Sequence, residues 1–187
     1  MSLNTTAADP AADSYADVTT ADAYFAAQGL STWTGTDAAK ENALRRGTQY
    51  LDNQYRDRWI GIRSTQNQAL SWPRGDGTRQ LYRNSFLYPL LDIDGFPIDT
   101  AGVPTQVAKA AMEAALLVLT GVDMQPILTP EDYAKSIHTK VDVLEKEVVY
   151  SDSAPAIKQF KVIEGLLRGL VSSSPGSTSG TVKLVRG

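Results

Sequence analysis

The segment from Pro104 to Thr120 constrains the fold more than any other part of the chain. Its central residues read QVAKAAMEAALLVL, which is apolar almost all the way round a helix. Pro104 suits the first turn of a helix, and Gly121 suits its end. A helix without a polar face has to be buried, either in a bundle or against a neighbouring subunit. The chain is therefore predicted to be mainly helical.

Three other segments have helical signals. They run from about 20 to 28, from about 37 to 55, and from Pro155 to about 170. In the second, Leu44, Thr48, Leu51 and Tyr55 fall on one stripe of the helix, with Gly47 beside it. Residues 137–150 alternate like two short strands. The predicted fold class is mainly α, a small helical bundle with a short β-hairpin element and extended terminal arms.

The domain organisation follows from composition along the chain. Residues 1–14 are small and polar, which predicts a flexible N-terminal arm. Residues 15–170 form one helical domain, with a long irregular insertion at about 60–102. So long an irregular stretch within a compact domain is generally functional or held by a partner. A short strand at Ala69 to Trp72 is the clearest regular element inside it.

Residues 171–187 are predicted to be a linker followed by a partner-binding strand. The linker contains only Ser, Thr, Gly and Pro between 172 and 180, and such a composition is flexible. The chain ends in a β-prone segment that is predicted to pair with the sheet edge of a partner. An alternative is that it folds back on the chain's own strands near 141–150. The residues predicted to bind the partner are Val182, Lys183, Leu184, Val185 and Arg186.

Several classes of chemistry are excluded by composition. The chain has no cysteine and a single histidine, His138, so disulfides, thiolate metal sites and histidine pairs are excluded. Asp92, Asp94 and Gly95 begin like a calcium loop but lack its later ligands, which favours a tight turn. Gly75 to Gly77 lacks the third glycine of a dinucleotide fingerprint and is interpreted as a loop tip. We therefore expect no catalytic residue, cofactor or metal, and no enzyme.

The N-terminal sequence and the net charge further restrict the kind of protein that this chain can be. The N-terminus has neither a basic start nor an apolar run, so we expect a soluble protein made in the cytoplasm, without a membrane partner. The net charge of −3 argues against a protein that simply coats nucleic acid.

Charge is nevertheless uneven along the chain. Eight arginines lie between Arg45 and Arg83 against three aspartates, a net charge of +5, so the rest of the chain carries −8. The aromatic residues Tyr50, Tyr55, Trp59, Trp72 and Tyr82 are interleaved with these arginines. This composition is typical of protein interfaces and of grooves for single-stranded nucleic acid. A third possibility is that the tryptophans are core anchors and the arginines form local salt bridges.

The tryptophans and a neighbouring proline have one predicted role, and the arginines have another. Trp59, Trp72 and Pro73 are predicted to be structural anchors. The candidates for inter-subunit or channel contacts are Arg56, Arg58, Arg63, Arg74, Arg79 and Arg83.

The order of several short motifs is familiar. They include Tyr50-Leu51-Asp52, Arg58-Trp59, Leu70-Ser71-Trp72-Pro73-Arg74, Asp94-Gly95 and Val103-Pro104. Over roughly residues 14–120 the chain resembles a tailed-phage family labelled DnaT-like single-stranded-DNA-binding protein. The phage members of that family resemble head–tail adaptor proteins, also called connector or head-completion proteins.

Two functions follow from this resemblance. The first, favoured by the overall acidity, is a structural head–tail adaptor located at the neck of the virion. The adaptor function implies a ring of about twelve copies under the portal protein. It also implies a tail-side neck or stopper protein as a further partner. Double-stranded DNA would pass through the ring without sequence-specific binding. The alternative is a single-stranded-DNA-binding protein of phage replication, whose affinity would fall steeply as salt rises.

Overall fold

The computed structural model describes residues 2–76, 89–124, 134–140, 145–150 and 160–172. These residues are mainly helical, with a small antiparallel hairpin, and the predicted fold class is confirmed. They divide into two compact units. One unit contains the described residues up to Met124 and from Lys161 onwards, and the other contains the residues between them. The helices of the first unit are α1 (Val18–Ala27), α2 (Asp37–Tyr55), α3 (Thr105–Leu119) and α4 (Lys161–Leu166).

Helix α2 begins and ends where its periodicity predicts. Thr36 caps it by accepting a hydrogen bond from the Ala39 N–H at 3.3 Å. Its apolar stripe is buried, and Leu44 and Leu51 are completely shielded from solvent. Helix α1 begins two residues earlier than predicted. The reason is that Asp17, and not a residue further along, accepts the capping bond, from the Thr20 N–H at 2.7 Å.

Helices α2 and α3 pack against each other with very little space between them. A Cβ atom at Gly47 would lie 2.7 Å from the Ala111 carbonyl oxygen and 2.7 Å from the Ala115 nitrogen. The α3 face that meets α2 is correspondingly built from small side chains, including Ala111 and Ala115, which are fully buried. Helix α3 also contacts α4, so the nearly all-apolar segment is covered from two sides.

The segment predicted to be a flexible arm lies on the helical domain. Asn4 and Asp13 pair through two hydrogen bonds, from Asn4 N to Asp13 Oδ1 at 2.8 Å and from Asp13 N to Asn4 O at 2.9 Å. Farther along, the Ala69 N–H donates to the Asp9 carbonyl at 3.2 Å. Hydrogen bonds therefore help to hold this segment, together with Leu3, which packs against the core, and the small polar composition gave no sign of these contacts.

The first part of the irregular insertion contains a two-residue ladder. Strand β1 (Ile62–Arg63) pairs antiparallel with strand β2 (Arg74–Gly75). The predicted strand at 69–72 is absent from this described region, and two of its backbone donors have side-chain partners instead. Ser71 N donates to Asp52 Oδ2 at 2.9 Å, and Trp72 N donates to the Tyr15 hydroxyl at 3.2 Å. The Trp72–Pro73 peptide bond is cis.

The second unit contains the hairpin. Strand β3 (Ala134–Lys140) pairs antiparallel with strand β4 (Glu145–Tyr150), and His138 lies opposite Glu147 in the register. The ladder is irregular between Ala134 and Ser136. The sequence predicted two strands within 137–150, so β3 begins three residues earlier than expected.

The described part of the last helix is shorter than predicted. Helix α4 covers Lys161–Leu166, whereas the sequence predicted a helix from 155 to 170, of which 155–159 lie outside the described residues. After α4 the chain turns back towards the end of α2. Ser172 N donates to the Arg58 carbonyl at 2.7 Å, and Ile60 N donates to the Leu170 carbonyl at 3.1 Å.

Candidate functional site

A polar groove of about 540 Å³ runs along the exposed face of α2. Arg45, Gln49, Asn53 and Arg56 follow one another at intervals of four, four and three residues, so they share one face of the helix. The opposite wall comes from the insertion, at residues 62–63 and 69–71. The full lining is Asp13, Arg45, Thr48, Gln49, Asp52, Asn53, Arg56, Asp57, Ile62, Arg63, Ala69, Leu70, Ser71 and Arg74.

Arg74 forms the back of the groove and holds the insertion together. Its Nε donates to the Ile60 carbonyl at 2.7 Å, its Nη2 to the Gly61 carbonyl at 2.6 Å, and its Nη1 to the Ser71 carbonyl at 3.2 Å. Only 9% of the residue is exposed, and this burial lowers the pKa of its guanidinium. The sequence predicted Arg74 as an interface or channel residue. In the structure each of its three side-chain nitrogens donates to a main-chain carbonyl.

Asp52 lies at the floor of the groove in a buried polar network. Its Oδ1 accepts a hydrogen bond from the Tyr15 hydroxyl, and its Oδ2 accepts one from the Ser71 N–H. Burial raises the pKa of this carboxyl, although the hydrogen bonds from Tyr15 and Ser71 and the charge of Arg74 act in the opposite direction. Burial, and then the Asp52 charge, raise the pKa of Tyr15 well above its usual value, so the phenol remains a donor.

The other arginines that were predicted to make inter-subunit or channel contacts differ in their exposure and in their hydrogen-bond partners. Arg58 Nε donates to the Ser172 carbonyl at 3.2 Å, and its guanidinium lies 5.4 Å from the centre of the Tyr55 ring. Arg63 is exposed, with one bond from Nη1 to the Gln68 carbonyl at 3.0 Å. Arg56 is also exposed, and no partner for it is seen among the described residues. Arg79 and Arg83 lie outside the described residues. Arg56 and Arg63 are therefore the cations that the groove presents to solvent.

The aromatic residues near these arginines face the core. Trp59 and Trp72 are buried and meet edge to face, with ring centres 5.7 Å apart. Tyr50 and Tyr55 are buried as well, while Tyr82 lies outside the described residues. These four buried rings cannot stack on a base. A ligand in the groove would consequently meet polar and charged side chains and not these four rings.

Sequence reasoning missed three contributors to the groove. Gln49 and Asn53 are exposed amides between the arginines of α2, and their spacing of four residues was the available signal. Asp13 comes from the segment predicted to be a free arm, and its carboxylate forms an ion pair with Arg45, with Oδ2 2.7 Å from Nε. No sequence pattern indicates that contact, because it depends on how residues 2–14 lie on α2.

The remaining predicted sites lie elsewhere. The predicted partner-binding residues 182–186 are outside the described residues. Asp92 forms the expected tight turn, since its Oδ1 accepts from the N–H groups of Asp94 and Phe96 at 3.0 and 2.8 Å. In the described part of the chain, no helix is long and apolar enough to span a membrane.

Comparison with known proteins adds one finding. Over residues 1–187 the chain matches the sequence model of a family described as "Putative DnaT-like ssDNA binding protein". Comparison with curated proteins and with solved structures gave no match. The family description names DNA binding, so the prediction of a head–tail adaptor is wrong and its alternative is the better supported one. The portal, ring and tail partners depended on the adaptor interpretation, and none of the contacts described here tests them.

Proposed function

We propose that the chain binds single-stranded DNA through the groove along α2, because it belongs to the family described as "Putative DnaT-like ssDNA binding protein". The family match over residues 1–187 is the observation that carries this proposal. The groove contributes the chemistry: two exposed guanidinium groups, from Arg56 and Arg63, and two exposed amides, from Gln49 and Asn53. Guanidinium groups bind phosphate oxygens strongly, and amides bond to phosphates, sugars or base edges.

The buried aromatics determine the kind of binding that is expected. Without stacking on Trp59, Trp72, Tyr50 or Tyr55, the phosphate contacts have to supply most of the affinity. Such contacts carry no direct sequence information. We therefore propose a sequence-tolerant binding protein without catalysis, whose affinity depends strongly on salt.

The experiment is a salt titration of binding to a fluorescein-labelled oligothymidine, followed by fluorescence anisotropy. The wild type should bind, and log K should fall linearly with log salt. Each phosphate contact contributes a slope of about 0.7 for a single strand. The double substitution Arg56→Ala/Arg63→Ala should therefore weaken binding and reduce the slope by about 1.4.

Arg46→Ala is the matched control. Arg46 is exposed on the same helix but does not line the groove. Its removal should leave the slope almost unchanged. The proposal fails if the wild type shows no salt-dependent binding, or if Arg46→Ala is as damaging as the double substitution.

A further inference from the structure

Arg45 lies on the groove face of α2 but has a protein carboxylate as its partner. It precedes Arg56 by eleven residues, a separation of about 16 Å along the helix at roughly 1.5 Å per residue. Its Nε lies 2.7 Å from Asp13 Oδ2, and its Nη1 lies 3.7 Å from Glu41 Oε2. Like Arg56 it lines the groove, but it is only partly exposed, and its Nη1 also donates to Asn42 Oδ1 at 3.4 Å.

The ion pair between Arg45 and Asp13 is open to water. The exposed fractions of the two side chains are 28% and 35%. Ion pairs at such positions contribute little to stability, because solvent and salt screen the attraction. A DNA phosphate offers the same guanidinium group a charge-assisted partner of at least equal strength. Replacement of the Asp13 carboxylate by a DNA phosphate as the partner of Arg45 therefore costs little free energy.

We propose that Arg45 is a third phosphate ligand of the groove, held by Asp13 in the free protein and transferred to the DNA backbone on binding. This inference rests on the proposed function, since it assigns a further residue to the same site. Asp13 acts as a competitor for that phosphate. Its Oδ1 also accepts the Asn4 N–H, so the competing carboxylate is fixed in place by the N-terminal segment.

Asp57 offers a matched comparison for Asp13. Both aspartates line the groove, and both carry the same charge. In the part of the chain that the structure describes, Asp57 has no arginine partner, so Asp57→Asn removes a negative charge without releasing a ligand. Asp13→Asn removes the charge and the ion pair at Arg45 Nε, and leaves the longer contact of Arg45 with Glu41, while the asparagine oxygen can still accept the Asn4 N–H. The two substitutions therefore differ mainly in what happens to Arg45.

The experiment is a double-mutant cycle on the full chain with the labelled oligothymidine. Arg45→Ala should weaken binding and reduce the salt slope by about 0.7, the contribution of one phosphate. Asp13→Asn should tighten binding by about two- to five-fold, the range expected for release of a weak surface ion pair. Asp57→Asn should tighten it less. In the Arg45→Ala background, Asp13→Asn should increase the affinity for the oligothymidine only as much as Asp57→Asn does. The increase in affinity caused by Asp57→Asn should be the same with or without Arg45.

The outcomes separate this inference from the proposed function. If the wild type binds but Arg45→Ala keeps the wild-type slope, Arg45 is not a phosphate ligand and only this inference fails. The same holds if the gain from Asp13→Asn is undiminished without Arg45. If neither the wild type nor Asp13→Asn binds the oligonucleotide, the proposed function fails and this inference fails with it. Thermal unfolding of each variant checks that a change in affinity does not come from loss of the fold.

Discussion

The Tyr15 hydroxyl donates a 2.5 Å hydrogen bond to Asp52 and accepts one from the Trp72 N–H at 3.2 Å. It therefore joins three parts of the chain that are far apart in sequence: the start of the domain, helix α2 and the insertion. The Tyr15 N–H adds a further bond, to Thr48 Oγ1 at 3.2 Å. Buried polar networks of this kind are costly to break, because each group that loses its partner stays desolvated.

Tyr15→Phe tests how much this hydrogen-bond network contributes to the stability of the fold. The substitution leaves both Asp52 Oδ1 and the Trp72 N–H without the hydroxyl. The free energy of unfolding should fall by about 1–3 kcal/mol, measured by urea denaturation. Tyr24→Phe is the control, because its hydroxyl bonds to Glu113 at 2.8 Å in a half-exposed position. Equal losses for the two variants would contradict a special role for the buried network.

The pH dependence of stability should show the raised pKa of Asp52. A carboxyl whose folded pKa exceeds its unfolded value contributes stability that is fully present below the unfolded pKa, about 3.9, and is lost as the pH rises through the folded pKa. Asp17 and Asp22 act in the opposite sense. The hydrogen bonds from Thr20 and Lys40 lower their pKa values, so their contributions are lost only as the pH falls below about 3.9.

Asp52→Asn isolates the contribution of this carboxyl. The difference in unfolding free energy, wild type minus variant, should decrease as the pH is raised from about 4. Urea denaturation across this pH range measures the difference. A difference that increases with pH would mean that the Asp52 pKa is lowered in the folded protein.

Gly47→Ala should destabilise the packing of α2 on α3. Alanine is preferred to glycine within a helix by about 1 kcal/mol, so propensity alone would favour the change. The new Cβ would, however, lie 2.7 Å from backbone atoms of Ala111 and Ala115, which cannot move without shifting α3. Overpacking of this kind costs about 1–3 kcal/mol, and we expect a net loss of stability.

Gly165→Ala is the matched control for that substitution. Gly165 is exposed in α4, and a Cβ there would meet no heavy atom within 4 Å beyond its chain neighbours and the backbone of its own helix. The melting temperature of the Gly165→Ala variant should equal that of the wild type or exceed it. If Gly47→Ala is as well tolerated as Gly165→Ala in thermal unfolding, the two helices are not in close contact at this point.

Trp72 should be the most sensitive of the anchors. Trp72 is 1% exposed, and Trp72→Ala should lower the free energy of unfolding by about 3–5 kcal/mol. Trp72→Phe should cost less. It keeps an aromatic ring against Trp59, and it removes an indole N–H that is buried without a protein partner in the described residues. Denaturant titration of both variants measures the two losses, and a loss for Trp72→Phe as large as that for Trp72→Ala would contradict this expectation.

Arg74→Lys should affect folding but leave the salt slope of DNA binding unchanged. Lysine concentrates its donors on one nitrogen and cannot reach the carbonyls of Ile60, Gly61 and Ser71 as a planar guanidinium does. We expect a loss of about 2 kcal/mol in chemical denaturation. Arg56→Lys, at the exposed position, should unfold like the wild type. A smaller salt slope for folded Arg74→Lys would place Arg74 among the phosphate ligands.

The helices could be predicted because their signals are local. In α2 the stripe and the Thr36 cap coincide, and in α3 the apolar run ends at Gly121. The groove could not be predicted in the same way. A buried arginine whose three nitrogens bond to main-chain carbonyls, such as Arg74, has the same sequence signature as an exposed arginine such as Arg56. The difference depends on where residues 60–74 lie against α2, which is a long-range property.

The end of the described chain has a consequence for the order of folding. Arg58 and Ser172 are bonded across a sequence separation of 114 residues, beside the bridge between Trp59 and Val171. The first unit is thus discontinuous in sequence, and its last pieces come from residues after Lys161. On a ribosome, where chains emerge from the N-terminus, the contacts of α1 and α2 can form early. The surroundings of Trp59 cannot be completed until residues 161–172 have left the ribosome, so this corner of the domain closes after the contacts of α1 and α2 can form.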